Sequence, residues 1–194
     1  MALIAAVAFI LMTTMIIGII AQTAFGYYRY QLDVYINSLL IMDLLSFSFL
    51  IIIALLFHYM INNRYIAYFA FVSFIILNQF IWGVLKISTN MVKFGSTPTV
   101  TYSDMNGFGP FIPGITWYSI YWVLFCIVLI FVSIAFYSRG KESEFRNRMI
   151  QAKNSLSVNK LGFALSIIAF IICAGFTYYN TKVLNTYDTT QEAE

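Results

Sequence analysis

The chain has 194 residues, of which 61% are hydrophobic, 19% are aromatic and only 10% are charged, and its net charge is +3. Soluble domains average about 45–50% apolar and about 25% charged residues, and a fold of this size cannot hide such an excess of apolar surface from water. The composition excludes a soluble globular protein. It predicts an all-α integral membrane protein rather than a β-barrel, because the apolar runs are continuous and do not alternate.

Five uncharged stretches are long enough to cross a bilayer, which takes about 20 residues. They predict transmembrane helices at residues 2–22, 44–60, 65–85, 117–137 and 161–179. One further, amphipathic helix is predicted over residues 25–42, where tyrosines cluster and apolar residues share a helical face; it should lie in the membrane interface. Residues 1–179 thus form a transmembrane domain, followed by a polar tail over residues 180–194.

Two long connectors determine the predicted orientation. Residues 138–160 carry six of the eleven Lys and Arg residues, so the positive-inside rule places this connector and the N-terminus in the cytoplasm. Residues 86–116 and the tail then lie outside. Residues 86–116 hold all three prolines, and turns rather than a helix are predicted in this connector. An aromatic belt at the membrane surface is predicted from the residues that follow, Trp117, Tyr118, Tyr121 and Trp122.

The residue inventory disfavours an enzyme. His58 is the single histidine, and the sequence has no metalloprotease, nucleophile-elbow or phosphate-loop motif. Cys126 and Cys173 lie inside predicted spans, where thiols usually act as packing groups. The span interiors carry no charge, which disfavours a proton-coupled carrier or pump. No catalytic residue, metal ligand or cofactor is predicted, and the expected partner is the lipid bilayer rather than nucleic acid.

Two groups of residues are candidates for contacts with a partner. In the outer connector they are Tyr102, Asp104, Asn106 and Gly107. The Asn-Gly pair favours a turn with positive φ, and a structured turn competes there with a ligand or partner contact. In the basic connector they are Arg139, Arg146 and Arg148, for which binding to anionic headgroups competes with docking of a cytoplasmic partner. The sequence leaves both pairs of alternatives open.

The outer connector also carries a resemblance to a known family. Its matching residues are Lys93-Phe94-Gly95-Ser96 and the block from Tyr102 to Gly109, followed by Pro110, Trp117 and Tyr121-Trp122. They resemble the membrane region of a bacterial family in which an ABC-exporter-type permease is fused to a C-terminal zinc aminopeptidase. Further similar segments are Asn62-Asn63-Arg64-Tyr65, Tyr179-Asn180-Thr181 and Val183-Leu184-Asn185.

The resemblance implies a permease-like segment of a longer permease/aminopeptidase protein in the bacterial cytoplasmic membrane. It would work with a cytoplasmic ATPase subunit and other transmembrane chains, and the connector 86–116 would be re-entrant or partly helical. The early spans, the helix that couples such a permease to its ATPase and the zinc-peptidase residues are missing from this sequence, so no peptidase role is assigned. The alternative is a non-catalytic accessory or structural subunit packed in a larger membrane complex.

Overall fold

A computed structural model describes residues 2–28, 30–87, 89–99, 107–137 and 145–184, and none of these residues lies in a β-strand. Five helices are long and apolar enough to span a bilayer: α1 (Ala2–Ala24), α2 (Leu32–Met60), α3 (Arg64–Val84), α4 (Ile112–Phe136) and α6 (Lys160–Leu184). A shorter helix, α5 (Phe145–Val158), lies between α4 and α6 in the chain. The predicted all-α fold with five membrane-spanning helices is confirmed.

The predicted interfacial helix over residues 25–42 is not a separate element. Instead, α2 runs on from its first α-helical turn, Leu32–Tyr35, through a π-helical stretch, Ile36–Asp43, into the α-helix Leu44–Met60. The sequence predicts a boundary between residues 42 and 44. The helix continues across this boundary, and the π turns keep its backbone hydrogen-bonded there.

A glycine ends α1 and allows the chain to turn back. The Tyr27 N–H donates to the Gln22 carbonyl over 2.9 Å and the Gly26 N–H to the Thr23 carbonyl over 3.0 Å, the pair of bonds of a Schellman cap. Gly26 has φ +77°, which residues with a Cβ rarely adopt. The turn is stabilised by the hydroxyls of Thr23 and Tyr30, which lie 2.8 Å apart. These residues belong to a compact unit over Met1–Ile51.

The second compact unit, Ile52–Glu194, is organised around α4 and α6. The two helices are antiparallel, as the ring-centroid distances show: Trp117 to Phe176 4.4 Å, Tyr121 to Phe170 5.2 Å and Phe131 to Phe163 6.1 Å. They pack closely, since a Cβ added at Gly162 would lie 3.3 Å from Cζ of Phe131. Helix α5 contacts both α4 and α6, and its Ala152 is buried.

Helices extend into several segments for which composition and hydropathy predict none. Helix α4 begins at Ile112 rather than at residue 117, because Pro113 falls in the first turn, where its missing N–H has no partner to lose. A 3₁₀ turn, Gly109–Phe111, precedes it. Helix α5 occupies much of the basic connector 138–160, and α6 continues to Leu184, into the predicted tail. Residues 185–194 of that tail lie outside the described residues.

Candidate functional site

Residues 89–99, called here the re-entrant segment, follow α3 and fold back between α3 and α4. They contact Asn78, which lies six residues before the end of α3, and Trp122, which lies ten residues after the start of α4. At 1.5 Å per residue, these contacts are about 9 Å and about 15 Å from the respective helix ends. Within a membrane, non-helical backbone at such depth occurs only where it is buried in protein or lines a water-filled cavity.

Asn78 holds the centre of the re-entrant segment. Its Oδ1 accepts a hydrogen bond from the Phe94 N–H over 3.0 Å, and its Nδ2 donates to the Phe94 carbonyl over 3.2 Å. The indole N–H of Trp82, one turn further along α3, also donates to Oδ1 over 3.2 Å. One amide side chain therefore satisfies both backbone polar groups of Phe94 and a tryptophan N–H in an apolar environment.

Two aromatic residues of α4 hold the segment from the other side. The Tyr121 hydroxyl donates to the Met91 carbonyl over 3.1 Å, and the Trp122 indole N–H donates to the Ser96 carbonyl over 2.9 Å. Both side chains are buried, as is that of Tyr118, whereas Trp117 is 44% exposed. The predicted aromatic belt is therefore wrong for three of its four residues: two of these direct their polar atoms to the re-entrant segment instead of to water.

The ring of Phe94 is the apolar centre of this arrangement. Its centroid lies 5.2 Å from Trp122, 5.9 Å from Phe74 and 6.1 Å from Phe125, each in an edge-to-face geometry. Phe74 belongs to α3 and the other two rings belong to α4. Because edge-to-face pairs are favourable beyond their burial, the ring joins α3 to α4 through the re-entrant segment.

The sequence reasoning missed Asn78, although a signal for it is present. An amide in the middle of an apolar span needs a hydrogen-bonding partner, since burying it alone is costly. Trp82 follows at the spacing of one helical turn, which places a second polar group on the same face. The pair indicates that this face of α3 is turned towards protein. Which backbone groups it meets depends on the folding of the connector.

The predicted outer-connector residues fall largely outside the region that the structure describes. Tyr102, Asp104 and Asn106 lie in the undescribed stretch 100–106. Gly107 is described and has φ +58°, the positive value that the Asn-Gly pair predicts. A Cβ added to Gly107 would meet no atom within 4 Å. The hypothesis of a ligand or partner contact at these four residues stays a prediction.

Two of the three predicted basic-connector residues, Arg146 and Arg148, lie in α5. Arg139 lies outside the described residues; Arg148 lies within α5, but its side chain is not described; Arg146 is described and exposed. Ala152 is buried and Leu156 is half-buried on the side of α5 that packs on the neighbouring helices. Beside this packed side, Arg146, Ile150 and Lys153 are exposed and follow the helical spacing; we call these three residues the α5 stripe.

The histidine and the cysteines have packing or local contacts. Nδ1 of His58 donates to the Ala54 carbonyl one turn earlier in α2, over 2.9 Å. Cys126 and Cys173 are free thiols, and both are buried. Among the described parts of the chain, no group of three or more His, Cys, Asp or Glu side chains is arranged to hold a metal ion.

No protein-family model, no curated protein and no solved structure matches the chain.

Proposed function

We propose that this chain is the membrane-embedded, permease-like segment of an ABC-type exporter, driven by a cytoplasmic ATPase and forming part of a longer permease/aminopeptidase protein in the bacterial cytoplasmic membrane. The proposal is supported above all by the α5 stripe. A connector that served only to fix the topology would need positive charge near headgroups, in any conformation. A packed helix that turns a mixed basic and apolar stripe outward also suits a protein partner.

The contacts of α5 supply a route by which such a partner could act. Helix α5 packs on α4, and α4 holds the re-entrant segment through Tyr121 and Trp122. A displacement of α5 by a docked ATPase would therefore move α4, and with it the hydrogen bonds to the re-entrant segment. In this proposal the ATPase binds the α5 stripe and displaces α5, and the re-entrant segment moves in response on the outer side.

The proposed orientation keeps α5 in the cytoplasm, the N-terminus also inside and the C-terminus outside. It is supported by the charge of the connector 138–160. In addition, the ring of Tyr59, next to the last residue of α2, lies 5.3 Å from that of Tyr137, which follows α4. Because these two helix ends meet, the connector of residues 61–63 and the basic connector lie at the same end of the unit, as alternating spans require.

Labelling of single cysteines in right-side-out membrane vesicles tests this orientation. Met149 is 52% exposed on α5 and Phe25 is 91% exposed after α1. A membrane-impermeant maleimide should label Phe25→Cys in sealed vesicles, and Met149→Cys only after permeabilisation. The parent chain is the control, because buried Cys126 and Cys173 should react little. Labelling of Met149→Cys from outside in sealed vesicles would overturn both the orientation and the ATPase assignment.

Purification of the tagged chain from its native membrane in mild detergent tests the function. We expect an ATP-hydrolysing subunit to copurify, and its recovery to fall about tenfold in Arg146→Glu/Lys153→Glu, because reversing charges at an electrostatic contact typically costs at least the 1.4 kcal/mol that corresponds to this factor. The matched control is Lys86→Glu/Lys182→Glu, which makes the same charge change at exposed positions predicted to lie outside. Equal losses in both variants, or no ATPase with the parent chain, would contradict the proposal.

The second candidate function is an accessory subunit of a larger membrane complex. A specific feature of α3 favours it: Ala67 is the one buried residue of this helix, while Tyr68, Phe69 and Phe80 are each more than 60% exposed. Large aromatic side chains on a nearly uncovered helix suit packing against neighbouring chains as well as lipid. In the same purification, a stoichiometric set of other membrane subunits without an ATPase would establish this second function instead.

A further inference from the structure

A groove of about 450 Å³ separates α1 from the first half of α2, within the unit Met1–Ile51. One wall is formed by Thr14, Gly18 and Gln22, whose spacing of four residues places them on one face of α1. The other wall includes Tyr35 and Ser38. Gly18 lets the two walls approach, because a Cβ added there would lie 3.2 Å from the Tyr35 hydroxyl.

The chemistry of the lining is polar but uncharged. Its polar side chains are those of Thr14, Gln22, Tyr27, Gln31, Tyr35 and Ser38, and among the described residues no Lys, Arg, Asp or Glu lines it. Such a surface offers hydrogen bonds without selecting a net charge. A ligand that is recognised here must therefore be identified by the donors and acceptors it carries.

One acceptor in the groove is unused. Oε1 of Gln22 is buried and accepts no hydrogen bond from any described residue. Buried polar atoms in proteins nearly always have a partner, and an unpaired one is costly, so we expect a donor at this oxygen from outside the described residues, either a ligand or a water. The backbone of a neighbouring transmembrane helix cannot supply one, because its N–H groups are already bonded within the helix.

The position of the groove along α1 matches the outer part of a lipid leaflet. From Gln22, near the last residue of α1, to Thr14 the groove extends about 12 Å along the helix axis. Headgroups occupy several ångströms beyond the hydrocarbon core, so the groove covers the depth of a headgroup and the first part of its chains. Val34 and Leu39, the apolar side chains of the lining, offer surface for those chains.

The wall formed by α2 is partly π-helical, since Ser38 and Leu39 lie within the stretch Ile36–Asp43. π-Helical turns are rare and occur frequently at functional sites, where they change the direction of side chains relative to an α-helix. This irregularity coincides with the groove.

We infer that the groove between α1 and α2 binds a membrane lipid whose headgroup donates hydrogen bonds, with Gln22 Oε1 as an acceptor. An ethanolamine ammonium and a glycerol hydroxyl both supply such a donor. A choline headgroup does not, because its nitrogen is fully methylated. The inference rests on the unit Met1–Ile51 and is independent of the proposed transport function.

Native mass spectrometry of the full chain in detergent tests this, with phosphatidylethanolamine, phosphatidylcholine and phosphatidylglycerol of identical acyl chains. We expect the ethanolamine lipid to be retained about fivefold more than the choline lipid, the ratio that one net hydrogen bond produces. These two lipids have the same charge, so electrostatic attraction to the protein cannot create the difference. Retention of the glycerol lipid shows whether a hydroxyl donor serves as well as an ammonium.

Substitution assigns the preference to the groove. Gln22→Leu removes the acceptor at similar size and should equalise the ethanolamine and choline lipids. Gln79→Leu, the same change at an exposed position of α3, should leave the preference intact. Equal retention of the two lipids by the parent chain overturns the inference without requiring that any variant fold, and a preference that persists in Gln22→Leu overturns the assignment to this groove.

Discussion

Replacing Asn78 by leucine is expected to release the re-entrant segment from α3. Leucine has nearly the same size, but it leaves the N–H and carbonyl of Phe94 and the indole N–H of Trp82 without their partner. A buried polar group left unpaired costs about 1–3 kcal/mol, while hydrogen bonds within membranes average only about 0.6 kcal/mol. With three groups affected, we expect a loss of about 2–4 kcal/mol. The lower end applies if the segment detaches and its polar groups reach water, and the upper end applies if they stay buried without partners.

Hydrogen exchange followed by mass spectrometry measures this release directly. In detergent or nanodiscs, amides of the re-entrant segment should exchange at least tenfold faster in Asn78→Leu than in the parent chain. Gln79→Leu is the matched control, because it removes the adjacent, exposed amide of the same helix. If the two variants exchange alike in this segment, Asn78 does not hold it in place.

Truncating Phe94 to alanine is expected to have the second large effect. Its ring touches three others, one from α3 and two from α4. Truncation of a core phenylalanine costs about 3–5 kcal/mol in soluble proteins, and because Phe94 is only half-buried we expect about 2–3 kcal/mol here. Lipid does not compensate for the loss, since the displaced segment would pass into water rather than into hydrocarbon.

Thermal unfolding in detergent, followed by tryptophan fluorescence, measures the effect of this truncation. Trp122 lies against Phe94 and hydrogen-bonds to the same segment, so its emission should move toward that of a hydrated indole as the segment detaches. Phe80→Ala makes the same change on the exposed face of α3 and should alter the unfolding midpoint little. A midpoint in Phe94→Ala equal to that of Phe80→Ala would show that the ring cluster does not stabilise the fold.

The two variants also bear on the proposed function. If the re-entrant segment is the moving part of a transporter, loosening it should change ATP hydrolysis by the copurified assembly as well as its stability. If the chain is an accessory subunit, both variants should lower stability alone. The α5 variants separate the same alternatives from the side proposed to be cytoplasmic, because they alter no contact of the re-entrant segment.

The spans could be predicted from the sequence because their cause is local. A run of about 20 apolar residues crosses the bilayer wherever it occurs in the chain, and the water–lipid boundary selects it without reference to any neighbour. Four of the five spans were therefore placed within a few residues, and Pro113 explains the early start of α4. The exception is α2, where the π-helical stretch Ile36–Asp43 continues across the boundary predicted between residues 42 and 44.

The contacts between spans could not be predicted in the same way, because they depend on residues far apart in the chain. Trp122 and Tyr121 are residue types that are typical of a membrane belt. Their polar atoms bond to the re-entrant segment only because the two side chains lie opposite it in the fold. Asn78 has no partner within its own helix other than Trp82; the Phe94 backbone that completes its hydrogen bonds is sixteen residues away. Such pairings depend on how the connector returns, which hydropathy does not encode.

By itself, then, the sequence determined that this protein crosses a membrane as a set of helices, since the partition of apolar residues between water and lipid is decided residue by residue. The tertiary structure alone decided which side chains of α3 and α4 hold residues 89–99 between them, that the helix carrying the α5 stripe packs on α4, and that α1 and α2 enclose a polar groove. Each of these arrangements joins groups that are distant in the chain or on separate helices, and only packing brings them within hydrogen-bonding distance.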